Sequence, residues 1–262
     1  MLVSILPPHG RQAAAAMMTL ATEYDRWHND VFESGPEHAD ESAPWYRLVL
    51  EYLGNLEGKG LLEIACGRGG FSRLLTTRGA RVTGVDFSGA ALKVALRKTA
   101  GNGRGPAPVN FIQGDAQRLP FANESFDAVV SCETIEHLPD PEAGLTEMAR
   151  VCRTSGLLYL TTPNYVNANG LYYLYARSRN KRATPGGDQP FDSVFLFPQI
   201  RKMVRRSGWE IIRTDGTVHQ FPVWPRHNPI AMPRLDSSRA IRRLLSPFAL
   251  HFFVMARKIK AR

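Results

Sequence analysis

Cysteine is scarce in this chain, three among 262 residues. Cys66, Cys132 and Cys152 form no CxxC pair and no even framework, which excludes a disulfide-stapled scaffold and a zinc ribbon. Long apolar runs are also missing: no stretch approaches the roughly 20 residues that span a bilayer. Met1 to Leu6 is apolar but lacks a preceding basic segment, so a secretory signal is not expected. Residues 1–17 are expected to be a disordered tail, with Met17 or Met18 as an alternative start. The compartment expected is the reducing cytoplasm. Acidic residues are outnumbered, 24 against 33 Lys and Arg, for a formal charge of +9. The excess gathers at residues 177–182, 201–206, 239–243 and 257–262. Such clusters suit nucleic acid or an anionic membrane surface. No aromatic-basic RNA motif accompanies them, so a solvated basic face is the preferred reading. Nucleic acid and peripheral membrane contact stay open as alternatives.

What the chain does have is alternation of buried strands and amphipathic helices. Residues 61–66 form an apolar strand that breaks at Gly67, Gly69 and Gly70 before a helix. Glycines there admit a ligand close to the backbone, and the amides of the helix start favour a negative group. Nineteen residues after Gly67, a second strand (81–86) ends in Asp86, placed to accept from a ribose diol. This is a nucleoside site on a doubly wound sheet. A dinucleotide fingerprint would carry a third glycine where Ser72 stands. Glu63, just before the loop, is poor company for a pyrophosphate and good company for an ammonium.

Four segments carry a resemblance. They are Glu63-Ile-Ala-Cys-Gly-Arg-Gly69, Val85-Asp86-Phe87-Ser88, Phe111-Ile-Gln-Gly-Asp115-Ala116 with Leu119-Pro-Phe121, and the run from Phe126 to Pro141 that contains Cys132-Glu133-Thr-Ile-Glu136-His137. In this order and spacing they resemble the class I S-adenosylmethionine (SAM)-dependent methyltransferases, strongly over residues 45–165, and the ubiquinone and menaquinone pathway-like group among them. The resemblance implies an α/β fold: a doubly wound, seven-stranded Rossmann-like sheet with helices on both faces and strand seven antiparallel. Residues 1–44 would be a tail and helical cap. The methyltransferase domain would fill 45–262, with insertions at about 164–192, a substrate lid, and 219–247. Further strands are expected at 109–113, 126–131, 157–161, 209–214 and 251–256. Thr154-Ser-Gly156 is expected to end the helix after Pro141.

The resemblance also assigns roles. SAM is the implied cofactor. Ala65, Gly67 and Gly69 would hold its methionine part, with Glu63 toward the ammonium and Cys132 on the wall. Asp86 would take the ribose, Asp115 the adenine amino group, and Phe87 and Ala116 would flank the ring. His137, with Glu133 and Glu136, is the catalytic candidate, because an imidazole changes charge near neutral pH. Two metal-using branches share Glu133-x-x-Glu136-His137, but they need a further histidine near Gln189-Pro-Phe191, and this chain has none there. No metal is therefore assigned. The expected reaction is methyl transfer to a small molecule, at oxygen rather than nitrogen. The alternatives are an RNA or protein methyltransferase that uses the basic surface, and a catalytically silent SAM-binding module.

Overall fold

The computed structural model describes residues 11–32, 43–100, 109–178, 190–221 and 230–259. The expected loop at 101–108, the polar segment 33–42, Pro185-Gly-Gly187 and the 222–229 proline run lie outside the described residues.

Seven strands form one sheet: β1 (Gly60–Ile64), β2 (Arg81–Asp86), β3 (Asn110–Gln113), β4 (Phe126–Cys132), β5 (Cys152–Pro163), β6 (Trp209–Thr217) and β9 (His251–Lys258). A separate ribbon pairs β7 (Gln220–Phe221) with β8 (Ile230–Ala231). The order across the sheet is β3-β2-β1-β4-β5-β9-β6. β1 to β5 pair in parallel, and β9 runs antiparallel to both β5 and β6. The expected fold class is the one found.

Central strands are apolar on both faces, so neighbouring residues feed opposite cores. Leu62, Val129 and Phe252 join one core with Leu145 and Met148 of α5 (Pro141–Val151) and Ile200 and Val204 of α7 (Phe197–Arg206). Leu61, Val130 and Phe253 join the other, against Leu48 and Val49 of α2 (Pro44–Leu50) and Phe71 and Leu75 of α3 (Gly70–Thr77). The three cysteines are buried free thiols.

Two local expectations need correction. α1 spans Arg11–Phe32, so residues 11–17 are helical rather than tail. Alanine and methionine there are strong helix formers. Helix α5 stops at Val151, not at 154–156, and the chain passes straight into β5. Cys152 pairs with Phe126, and the register then shifts so that Leu157 meets Ala128. Ser155 takes up the slack with φ of 64°. Thr154-Ser-Gly156 thus forms a bulge in a long strand, a use of turn residues that their composition alone does not separate from a helix stop. The expected 164–192 lid contains α6 (Ala168–Ser178), and the 219–247 insertion adds α8 (Pro233–Asp236) and α9 (Arg239–Leu245) to the ribbon.

Candidate functional site

The loop after β1 is shaped by left-handed backbone. Ala65, Gly67 and Gly69 have φ of 52°, 53° and 72°. For an alanine that region costs about 1 kcal/mol, strain of the kind stored at ligand sites. Gly67 faces open space, where a Cβ would meet nothing within 4 Å. At Gly69 a Cβ would collide with the Phe111 ring. Gly67 is therefore the position exposed to a ligand, and Gly69 serves close packing.

Asp86 anchors this loop from the end of β2. Its Oδ2 accepts from the Gly67 amide at 2.7 Å and its Oδ1 from the Ser88 amide at 2.8 Å. Burial pushes the carboxyl up to about 6, against the pull of those amides. Glu63 lies elsewhere. It is 2% exposed, outside the cavity wall, and accepts a bond from the Ser72 hydroxyl. Burial, offset by the Ser72 bond, raises its pKa to about 8. A raised carboxyl stabilises the fold below its unfolded pKa, and that contribution is lost as pH climbs to about 8. Glu63→Gln, which can keep a bond to Ser72, is expected to match the wild type in stability near pH 4.5. At pH 8 it should melt roughly 5 °C higher in scanning calorimetry. Equal melting temperatures at pH 8 would contradict the buried, protonated state.

A cavity of about 240 Å³ opens at the carboxyl edge of the parallel strands, where ligands bind in such sheets. Ala65, Gly67, Asp86, Phe87, Asp115, Ala116 and Cys132 all line it, together with Glu133 and His137. Asp115 Oδ1 closes its own turn by accepting from the Gln117 amide at 2.8 Å. α1 roofs the cavity with Leu20, Tyr24, Trp27 and His28. That helix is tied down by Asp25, whose Oδ1 accepts from the Ser88 hydroxyl at 2.6 Å and the Ala90 amide at 3.0 Å. Ser88 Oγ in turn caps α4 (Gly89–Ala100) by accepting from the Ala91 amide.

A methyltransferase domain model matches residues 62–160. The chain is 31% identical over 194 residues to the demethylmenaquinone methyltransferase of Renibacterium salmoninarum, spanning 72% of this chain and 76% of that one. It is 31% identical over 173 residues to the ubiquinone biosynthesis O-methyltransferase of Rhizobium rhizogenes, spanning 66% and 68%. The chain belongs to the SAM-dependent methyltransferases. Its fold is shared with a methyltransferase solved in complex with the Haloferax volcanii Trm112 methyltransferase activator. That match has a TM-score of 0.63 and 20% identity, and it covers 91% of this chain and 98% of the other.

The methyltransferase's acidic end lies beside this cavity. Glu133 sits after β4 with φ of 49°, and its Oε2 meets His251 Nδ1 at 2.8 Å. Glu136 is 1% exposed, and its Oε2 accepts from the Thr162 hydroxyl at 2.8 Å. Burial first, and Glu133 second, hold its carboxyl well above the usual range. His137 Nδ1 lies 2.8 Å from the Phe191 carbonyl. A carbonyl only accepts, so Nδ1 carries a proton, and in the neutral ring the lone pair is on Nε2. Glu136 Oε1 stands 3.6 Å from that Nε2. Among the described residues no three His, Cys, Asp or Glu converge as metal ligands.

Two contributors lay beyond sequence reasoning, and two tyrosines join them. His251 arrives because β9 runs backward, which puts its first residue at the carboxyl edge of its parallel neighbours, opposite Pro163. Asp192 comes within 4.0 Å of His137 Nδ1. Tyr24 donates to the Phe191 carbonyl at 3.3 Å, and its phenol is raised by burial and then by Glu136 and Asp192. Tyr165 is raised likewise by burial, Asp192 and Glu136. The expected helical cap and lid contain these two tyrosines, whereas nothing in the sequence pointed to His251 or Asp192.

Proposed function

We propose that this methyltransferase moves the SAM methyl group to an oxygen of a small-molecule acceptor. The observation that carries the reading is His137: it lines the cavity, and with its Nδ1–H spent on the Phe191 carbonyl, Nε2 is the ring nitrogen left to take a proton. Displacement at a sulfonium needs alignment and a place for the acceptor proton. The acceptor oxygen attacks the methyl carbon, the carbon–sulfur bond breaks, S-adenosylhomocysteine leaves and Nε2 takes the hydroxyl proton. Asp86 holds the ribose, Asp115 the adenine amino group, and Phe87 and Ala116 flank the ring. Ala65, Gly67 and Cys132 border the methionine end. Glu63 supports the start of α3 through Ser72 instead of meeting the ammonium, and Gly69 packs rather than binds. Glu133 and Glu136 shape the acceptor side, with Tyr165 of the lid. The relative named as a ubiquinone biosynthesis O-methyltransferase supports a hydroxyl acceptor, and the demethylmenaquinone methyltransferase supports a quinone-type ring without naming the atom.

The test is an acceptor panel with SAM, dihydroxybenzenes against primary amines, read by product mass and fragmentation. Methyl on oxygen is the expected outcome. Methyl on nitrogen alone overturns it. Methylated RNA or protein would give the basic surface the acceptor role, and SAM binding without turnover on any acceptor would make the chain a binding module.

A further inference from the structure

The insertion between β6 and β9 carries a helix turned inside out. On α9 the arginines face inward. Arg242 is 8% exposed and donates to Glu51 at 2.9 and 2.6 Å and to Asp215 at 3.4 Å. Arg239 and Arg243 lie on the same side, their guanidinium carbons 5.9 and 5.8 Å from the centre of the Tyr52 ring. At 100° per residue, Ile241 and Leu244 fall on the opposite side. Both are exposed, Leu244 by 78%. Phe248 continues the outward apolar row. Earlier in the same insertion, Phe221 and Ile230 are cross-strand partners, and both are exposed, as is Met232.

Scattered apolar residues on a surface are ordinary. Here they concentrate in one insertion, on a helix whose charges are drawn inward at a desolvation cost that two carboxylates must offset. Charge selects what covers them. The described part of the insertion holds four arginines against one aspartate, and the whole chain carries +9. Arg234 is exposed in the same insertion, while Arg239 is held by Glu51 at 3.2 Å. A second copy would set like charge against like charge, and RNA offers nothing to a leucine face. Apolar side chains flanked by arginine match an anionic bilayer surface. No described helix is long and apolar enough to cross a membrane, so contact is at the interface.

We infer that residues 230–248 dock on an anionic lipid bilayer, with Ile241, Leu244 and Phe248 entering the interfacial layer and Arg234 meeting headgroup phosphates. This stands apart from the acceptor chemistry. The experiment is co-sedimentation of the full chain with phosphatidylcholine vesicles, with and without phosphatidylglycerol. Wild type should pellet with the anionic vesicles, be released by salt, and stay in the supernatant with neutral ones. Ile241→Gln/Leu244→Gln should lower partitioning about tenfold at unchanged SAM affinity. Arg234→Gln, on an exposed residue, should lower it about fivefold. Absence of wild-type binding, equal binding to neutral vesicles, or equal binding by folded variants would each overturn the inference. A dimer in sedimentation equilibrium that the double variant dissociates would assign the surface to a second copy and overturn it too.

Discussion

Asp86→Ala is expected to weaken SAM binding by about 100-fold in titration calorimetry. Hydrogen bonds to a buried charge contribute roughly 1.5–3 kcal/mol, which is about 10- to 150-fold in affinity. The substitution removes the ribose acceptor and also the partner of the Gly67 and Ser88 amides, so loop and ligand lose together. Asp86→Asn should fall between, since its amide nitrogen cannot accept. Burial places the Asp86 carboxyl at about 6 in the cofactor-free protein. The ionised form is the better acceptor, so affinity should fall about tenfold per pH unit below 6 and level off above 7. Folding has the opposite sign: a raised carboxyl takes stability away as pH rises through 6. Unchanged affinity in the alanine variant would remove Asp86 from the ribose site.

His137→Ala is expected to cut kcat about 100-fold or more while SAM affinity changes little. A positioned base contributes roughly that factor, and the imidazole lines the cavity together with Glu133. Free imidazole should restore part of the rate, a recovery that a purely structural role would not show. Chelator should leave the wild-type rate nearly unchanged, because the sequence has no further histidine near Gln189-Pro-Phe191 to complete a metal-ligand set. A folded His137→Ala enzyme at full rate would leave the residue to packing.

The strands and the loop were legible because their signals are local. Asp86 closes β2 as its position after Gly67 implies, and the 126–137 run both crosses the sheet and reaches the cavity. Ser72 shows the limit. It stands where a dinucleotide fingerprint has glycine, yet its use, holding Glu63, depends on how α3 turns above β1. His251 and Asp192 were illegible because 118 and 54 residues or so of chain separate them from their partners, and only the sheet topology folds them back. The bulge at Ser155 was missed because turn residues end helices and kink strands with the same chemistry.

The tether of α1 has a consequence for traffic through the enzyme. The roof over the cavity is one helix, held by Asp25 to the start of α4, by Tyr24 to the Phe191 carbonyl and by the His28 carbonyl to Arg68. On the proposed cofactor placement, loosening these ties widens the path by which S-adenosylhomocysteine leaves and SAM enters, so the dwell time of spent cofactor is expected to depend on the motion of this helix as well as on the breaking of a carbon–sulfur bond.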